Sequence, residues 1–402
     1  MSEASNAISP TDAQHAEVAL SRQSFWRSLR RVTASGRYIP QIDGLRFIAI
    51  VAVIVYHIGQ LSWMNCNFCA SQEFGLAGII SHLDRGVPLF FTISGFILGL
   101  PFANEHLLEG RKVNIRHYFL RRVTRLEPPY ILNLLIRFPM IAGVKHVSWG
   151  VASAHLLASL FYMHGAIYGT LPMVHIPSWS LEVEVQFYLM APILAAVFFP
   201  RKSWMRRSSL VLAIIGFIIL RSVTPGDLQT RLHLSIISFA QYFLVGFLMS
   251  DWFLTAAKRM KQSWLWDLVG VGALFAMVMI TEVHAYFLLP LLIMAVLAAA
   301  FQGVLFSQLL AVPFVATLGG MCYSLYLTHS LVLQFCAWVI IHQDLAGLTY
   351  LTRFIAYLLA SVPVILAVGI TFFVLIERPC MDQNWPSKLW SRLTKKSTPV
   401  LS

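Results

Sequence analysis

Two ionisable side chains stand out within an apolar segment near the start of the chain. Arg46 and His57 lie eleven residues apart in the run 41–62, which reads QIDGLRFIAIVAVIVYHIGQLS. Eleven residues of α-helix come within about 20° of three whole turns, so both side chains would share one face, about 16 Å apart along the axis. Ionisable groups inside a membrane span are costly and point towards the protein interior or a wet cavity. The pair therefore predicts a functional site with an imidazole base or nucleophile and a cation.

A second group of cations lies in the segment 117–130, which reads HYFLRRVTRLEPPY. Arg122 and Arg125 are three residues apart, so they are neighbours on one helical face. Guanidinium groups bind phosphate oxygens through paired hydrogen bonds, although anchoring to lipid headgroups explains the cluster equally well. Glu127 follows directly, and its charge could neutralise part of that of Arg125 or Arg122.

The segment 176–192, IPSWSLEVEVQFYLMAP, carries two carboxylates. Ser178 is a candidate N-cap, and a negative charge at Glu182 is favoured by the helix dipole in the early turns. Glu184 points about 160° away from Glu182 and lies on the same face as Tyr188. This position within an apolar helix, beside Tyr188, favours a functional role for the Glu184 carboxylate.

Two further segments combine polar and apolar residues in the same way. In GVPLFFTISGFILG, residues 86–99, Ser94 and two glycines form a small face for which helix packing is the favoured role. In GGMCYSLYLTHSLVLQ, residues 319–334, Tyr323 and His329 share one apolar run. His329 could bind substrate or take part in the chemistry, and a hydrogen-bonded structural histidine is an equal alternative.

The composition indicates which elements must position these residues. Of the 402 residues, 57% are hydrophobic and only 12% are charged, which excludes a soluble globule with one core. We therefore expect an all-α fold, a polytopic membrane helix bundle. The net charge of +12 could indicate a nucleic-acid partner, but the basic residues cluster in short loops between apolar runs. The positive-inside rule explains that pattern, so we expect contact with membrane lipid and no nucleic acid.

About ten apolar runs are long enough to span a bilayer. They lie at 44–63, 85–102, 127–143, 179–199, 208–222, 233–252, 264–281, 284–303, 315–341 and 353–376. With this number of spans the basic loops fall on the cytoplasmic side, together with both termini. The shorter stretch 150–163 is predicted to be an outer re-entrant or interfacial helix, and the Gly- and Pro-rich loop 165–177 is predicted to cap a cavity.

We expect one membrane domain, 41–380, between a cytoplasmic N-terminal segment, 1–40, and a basic cytoplasmic tail, 381–402. The first forty residues contain no apolar signal-peptide core. Cys66 and Cys69 form a C-x2-C in the first outer loop, where a disulfide or two inert thiols are favoured over a metal site.

Six motifs, which occur in the family's order along the chain, resemble those of the acyltransferase 3 family of integral membrane O-acyltransferases. IDGLRFIAIVAVIVYH is similar to the family's first-span signature of a basic residue, ten others and a histidine, and RRVTRLEPPY to its Arg-x-x-Arg motif. GVPLFFTISGF, WSLEVEVQFY, YSLYLTH and the IERP at 376–379 resemble the other four. The family's paired glutamates are Glu184 and Val185 here, so an acidic role transfers to Glu184 alone.

The resemblance implies that an acyl group, commonly acetyl, passes from cytoplasmic acyl-CoA to a hydroxyl on an acceptor reached from the outer side. His57 would take the hydroxyl proton or the acyl group itself, and Glu184 would orient or stabilise its imidazole. Arg46, Arg122 and Arg125 would bind CoA, with no metal involved. Candidate substrate-binding or oxyanion-stabilising residues are Tyr188, Tyr323, His329 and Ser94.

The acceptor implied by the resemblance is a glycan, a lipid-linked sugar or a related hydroxyl compound, and the location is a bacterial-type cytoplasmic (inner) membrane. A membrane transporter or flippase of a glycan-related substrate is the alternative, because charged residues along a bundle axis also mark substrate pathways. A non-catalytic membrane scaffold or sensor is a third interpretation, which leaves the spacing of Arg46 and His57 unexplained.

Overall fold

A computed structural model describes residues 38–64, 75–144, 147–224, 232, 234–341, 349–382, 384–388 and 391. Within these ranges the chain is helical and contains no β-strand. The all-α, polytopic fold predicted from the sequence is therefore confirmed. Nearly all of the predicted N-terminal segment 1–40, the Cys66 and Cys69 pair and most of the predicted tail 381–402 lie outside the described residues.

The helices are numbered here in chain order. They are α1 Pro40–Trp63, α2 Leu76–Ser81, α3 Gly86–Leu107, α4 Ile115–Val144, α5 Trp149–Leu160, α6 His164–Tyr168, α7 Trp179–Leu194, α8 Ser203–Val223, α9 Ile236–Thr255, α10 Trp264–Met279, α11 Glu282–Gln302, α12 Leu305–Leu310, α13 Pro313–Gly320, α14 Cys322–Ile341, α15 Tyr350–Phe372 and α16 Arg378–Cys380. A π-helical turn, Phe373–Glu377, joins the last two.

Within the described ranges, seven helical segments are long and apolar enough to cross a membrane. They are Pro40–Trp63, Leu76–Leu107, Ile176–Phe198, Ser203–Val223, Ile236–Thr255, His284–Gln302 and Tyr350–Cys380. Helix α4 covers the predicted span 127–143 but has a charged first half, and α10, which covers 264–281, has only 16 residues. The predicted span 315–341 is divided at Met321 between α13 and α14, where Gly319 packs against the backbone of Asp43.

The close contact between α3 and α9 forms the centre of the largest core. A Cβ atom on Gly95 would meet the backbone of Phe243, and one on Gly246 would meet the backbone of Thr92 and Phe96. The packing role predicted for the glycines of this motif is therefore seen at Gly95. Small residues allow two helices to approach closely, which is the main source of helix association inside a membrane.

Helix α1, which carries Arg46 and His57, lies at the centre of the bundle and contacts α3, α13, α14 and α15. Its core-facing residues are almost fully buried, among them Leu45, Ala49, Ile50 and Ile58. On the side of the bundle near His57, the interfacial element predicted at 150–163 is the short helix α5. The Tyr130 hydroxyl of α4 donates to the Ser159 carbonyl of α5 at 3.0 Å, which ties this helix to the bundle.

Candidate active site

The His57 imidazole is held by a side chain one turn further along α1. Its Nδ1 lies 3.2 Å from Gln60 Oε1, while Gln60 Nε2 donates to Tyr56 Oη at 2.6 Å. Because an amide oxygen only accepts hydrogen bonds, Nδ1 carries the proton and Nε2 of the neutral ring keeps its lone pair. This tautomer is the one that a base or nucleophile acting through Nε2 requires.

A second imidazole lies beside His57. The ring centroids of His57 and His329 are 5.2 Å apart. His329 is fully buried, and its Nδ1 donates to the Tyr326 carbonyl at 2.7 Å, so its Nε2 also keeps a lone pair. That Nε2 is buried and has no hydrogen-bond partner among the described residues. The structure therefore brings together two of the residues singled out in the sequence, from α1 and α14.

The three arginines predicted to bind CoA differ in their partners. Arg46 Nη1 forms an ion pair with Asp43 at 2.7 Å, and Arg125 Nη2 lies 3.5 Å from Glu377 Oε1. Glu377 is fully buried and also accepts hydrogen bonds from the amide and hydroxyl of Ser324. Both guanidinium groups therefore have a structural counter-ion.

Arg122 is supported by aromatic rings instead. Its guanidinium carbon lies 3.6 Å from the centroid of the Tyr118 ring and 5.3 Å from that of Tyr188, and its Nη1 donates to the Tyr118 carbonyl. The expected neutralisation by Glu127 is wrong for the described contacts, because the Glu127 carboxylate accepts from Tyr162 Oη at 3.0 Å. Of the three arginines, Arg122 is the one without an ion pair to a carboxylate within 4 Å among the described residues.

Glu184 contacts the Arg122 side of the site. Ser94 Oγ donates to its carboxylate, Tyr188 lies within side-chain hydrogen-bonding range, and Arg122 and Arg46 interact with it electrostatically. In the described residues Gln60, rather than Glu184, accepts the hydrogen bond from His57. The expectation that Glu184 orients the imidazole is corrected, because helical periodicity gave its face on α7 but not the helices packed against that face.

Tyr323 is engaged in a structural contact. Its hydroxyl donates to the Leu126 carbonyl at 2.8 Å, which links α14 to α4. The neighbouring Tyr326 hydroxyl donates to the Pro177 carbonyl at 2.5 Å and lies 3.1 Å from Ser180 Oγ. A role for Tyr323 as an oxyanion donor would require this bond to break.

The loop around α6, predicted to cap a cavity, is anchored by a buried carboxylate and a histidine pair. Glu182 Oε2 accepts from the Gly165 amide at 2.9 Å, which supplements the helix-dipole explanation for this residue. His155 Nδ1 lies 2.8 Å from His164 Nε2, and His164 Nδ1 lies 3.3 Å from the Thr170 carbonyl. Burial and the neighbouring His155 lower the pKa of the His164 imidazole.

Three polar residues near His57 were missed from the sequence. Gln60 follows His57 at i+3, a spacing that could have identified it. Arg137 is a lone cation in an apolar run, which is itself a signal of function, and it is buried on α4. His175 is fully buried in the loop before α7, and neither ring nitrogen has a partner among the described residues. No helical pattern marks His175.

Residues 39–370 match the family model described as an acyltransferase domain, which covers well over half of the chain. The chain belongs to the acyltransferase 3 family. The O-acetyltransferase OatA of Staphylococcus aureus strain NCTC 8325 is 23% identical over 333 residues, as is OatA of strain MRSA252. Each alignment covers 75% of this chain and 51% of the relative, so the chain spans about half the length of these curated relatives. No solved structure matches the chain.

Proposed function

We propose that this protein is an integral membrane O-acyltransferase that moves an acyl group, in the first instance acetyl, from cytoplasmic acyl-CoA to a hydroxyl of a glycan or glycolipid-type acceptor. The acceptor is reached from the outer side of a bacterial-type inner membrane. Membership of the acyltransferase family and similarity to proteins named O-acetyltransferase support this reaction class.

The observation that carries the proposal is the state of the His57 imidazole. Donation from Nδ1 to Gln60 Oε1 leaves the Nε2 lone pair of a neutral ring, inside a membrane helix, beside a second imidazole in the same tautomer. A neutral imidazole with its other nitrogen fixed is the arrangement that general bases and acyl-accepting nucleophiles use.

The donor is expected at the Arg122 end of the bundle. A guanidinium lying flat on Tyr118 presents N–H groups at its edge, and these suit the phosphate oxygens of CoA. Arg46 shares the His57 face of α1, about 16 Å nearer to this end. Arg46 and Arg125 are paired with Asp43 and Glu377, so we expect them to contribute less to the binding of the donor than Arg122.

Two chemical routes remain for His57. In direct transfer, Nε2 takes the proton of the acceptor hydroxyl while its oxygen attacks the thioester carbonyl; the C–S bond then breaks, and the CoA thiolate receives the proton from the imidazolium. In the two-step route, Nε2 forms a C–N bond as the C–S bond breaks, and the acceptor oxygen then displaces the imidazole, its proton passing to the thiolate. Both routes yield an O-acyl ester and free CoA.

The test is transfer of label from acetyl-labelled acetyl-CoA to a glycan fraction in membranes that contain the wild type or His57→Ala. Loss of the imidazole is expected to reduce transfer by about 10²- to 10⁴-fold, the usual contribution of a positioned general base. Full transfer by His57→Ala would refute the mechanism. Wild-type accumulation of an unmodified substrate that does not depend on CoA would favour the transporter alternative.

Gln60 offers a matched pair of variants for the orientation of His57. Gln60→Ala removes the acceptor for the Nδ1 proton, whereas Gln60→Glu keeps an acceptor oxygen at the same place. We expect Gln60→Ala to lower the transfer rate by about tenfold, as loss of one orienting hydrogen bond does, and Gln60→Glu to retain more activity. Equal rates for the two variants would contradict the orienting role.

A further inference from the structure

Arg137 is a buried cation that has no carboxylate partner in the described part of the chain. Its side chain is 3% exposed. Its Nε donates to Asn133 Oδ1 at 2.9 Å, and its Nη2 donates to the Leu327 carbonyl at 3.1 Å and to Ser330 Oγ at 2.9 Å. These partners are neutral, so they orient the guanidinium without balancing its charge.

Two other buried arginines in the described part of the chain are paired with carboxylates. Arg206 Nε lies 2.6 Å from Asp251 Oδ2, and Arg85 Nη2 lies 2.9 Å from Glu282 Oε1. A buried charge without a counter-ion is costly, particularly at membrane depth. Arg137 has no such partner among the described residues, which favours a bound anion as the group that completes its site.

The surroundings of Arg137 are open to a ligand on one side. Arg137 lines a small pocket that is open on one side, together with Met140, Met173, Ile176 and Gln334. Its Nη1 makes no hydrogen bond within the described residues. The guanidinium can therefore donate to a ligand without releasing its three structural contacts.

Two imidazoles with unused nitrogen atoms lie next to this cation. Arg137 interacts electrostatically with His175 and with His329, and both are fully buried. His175 has no partner for either ring nitrogen, and His329 has none for Nε2, among the described residues. Neutral imidazoles can donate to or accept from the hydroxyls of a sugar. The guanidinium and the two imidazoles form one buried polar cluster with unused hydrogen-bonding groups, and Arg137 connects that cluster to the pocket.

We infer that Arg137, His175 and His329 form an acceptor subsite that binds an oxyanion carried by the acceptor, either a sugar carboxylate or a sugar phosphate. The subsite lies beside His57, since His329 contacts the His57 ring. This inference rests on the proposed function and specifies its acceptor as an acidic glycan or a phosphorylated sugar.

Stabilisation of the thioester oxyanion is the competing role for Arg137. The contacts of Arg137 reach His329 and His175, whereas the described partners of His57 are Gln60, Tyr56 and His329. Arg137 is thus separated from the reacting nitrogen of His57 by one side chain. That separation fits a charged group on the acceptor better than the carbonyl under attack.

Ligand binding can be tested without acyl transfer. The melting temperature of the full chain in detergent is measured during titration with glucuronate, glucose 1-phosphate or glucose at matched ionic strength. Because a ligand that binds only the folded state stabilises it, the inference predicts a rise with at least one anion and none with glucose. A rise with glucuronate alone identifies a carboxylate subsite, and a rise with glucose 1-phosphate alone identifies a phosphate subsite.

Arg122 provides the matched control, since it is another guanidinium on the same helix. The anion-dependent rise should persist in Arg122→Gln and vanish in Arg137→Gln. A rise that vanishes in Arg122→Gln and persists in Arg137→Gln would place the anion at the donor end and overturn the inference. No difference between anions and glucose in the wild type would overturn it as well.

Transfer kinetics separate this inference from the proposed function. In Arg137→Gln membranes, the concentration of an oligogalacturonate acceptor giving half-maximal transfer should rise about 10- to 100-fold, as expected when a charge-assisted contact is lost. The concentration of the carboxyl-reduced, neutral oligosaccharide that gives half-maximal transfer should not change. Unimpaired acetyl-CoA hydrolysis would show that the variant is folded. If wild-type membranes transfer acetyl groups and Arg137→Gln changes the half-maximal concentrations of both acceptors equally, the inferred subsite is wrong. If wild-type membranes transfer no acetyl groups, the proposed function itself fails.

Discussion

The two ends of the bundle keep their polar groups ready for a ligand in opposite ways. At the Arg122 end, a cation lies on the faces of Tyr118 and Tyr188, near the carboxylate of Glu184. At the His57 end, two neutral imidazoles each use one nitrogen for a structural hydrogen bond and keep the other uncommitted. The Arg122 end therefore presents a cation beside aromatic rings, whereas the His57 end presents imidazole lone pairs beside the buried cation Arg137. The difference teaches that substitutions should separate into effects on donor binding and effects on the rate of transfer.

The largest expected effect is at His57. His57→Gln keeps a polar side chain of similar size but removes the lone pair of Nε2, so kcat should fall by about 10²- to 10⁴-fold. The KM for acetyl-CoA should stay near the wild-type value, because the donor is expected at the other end. Initial-rate kinetics in membrane vesicles measure both constants. A large rise in KM with unchanged kcat would erase the distinction between the ends.

Arg122→Gln should produce the converse result. Loss of a charge-assisted contact to phosphate is expected to raise the KM for acetyl-CoA by about 10- to 100-fold with a smaller effect on kcat. Arg121→Gln is the matched control, since Arg121 is adjacent in sequence and points about 100° away on the helix. Equal KM values for the two variants would indicate a general effect of charge rather than a specific contact.

The contacts of Glu184 assign it to the Arg122 end of the bundle. Its contacts with Ser94, Tyr188 and Arg122 predict that Glu184→Gln couples to Arg122→Gln and not to His57→Gln. In a double-mutant cycle on kcat/KM, coupling with Arg122 should be about 0.5–3 kcal/mol, as for residues in one network. Coupling of that size with His57 instead would restore the triad-like role predicted from the sequence.

The smallest effect is expected in the loop around α6. Because the pKa of His164 is lower in the folded state than its ordinary value, the folded loop binds fewer protons. The loop should therefore be fully stable above about pH 6.5 and lose stability as the pH falls through the lowered pKa of the folded state.

Amide hydrogen exchange of residues 164–176 measures this change. Between pH 7.5 and 5.5, after correction for intrinsic rates, protection should fall, because the folded loop disfavours the protonated His164 imidazole. His155→Gln, which removes one cause of the shift, should show a weaker pH dependence. An unchanged exchange pattern would contradict a role for the histidine pair in holding the loop.

The features that the sequence predicted correctly depend on periodicity within one helix. Arg46 and His57 could be placed on one side of α1, and Gly95 in a close helix contact, because side-chain direction follows from residue number along a helix. Asp43 and Arg46 are three residues apart on α1, so their ion pair follows from the same periodicity.

The features that the sequence did not predict depend on contacts between distant segments. Arg125 and Glu377 are 252 residues apart, and no spacing in a single sequence pairs them. Periodicity placed Glu184 on a face of α7, but it could not identify the neighbours Ser94 and Arg122, which belong to α3 and α4. His175 lies in a loop, where side-chain direction depends on local turns rather than on a repeating angle.

Arg122 and Arg137 occupy a single continuous helix, fifteen residues and about 22 Å apart along its axis. This helix, which contains Pro128 and Pro129 between the two arginines, sets the distance between the expected donor phosphates and the expected acceptor anion. An acceptor held by its charge at Arg137 would meet His57 in one register only. The consequence is regiochemical: on a polymer of identical acidic units, the ester should form at the same ring position in every modified unit.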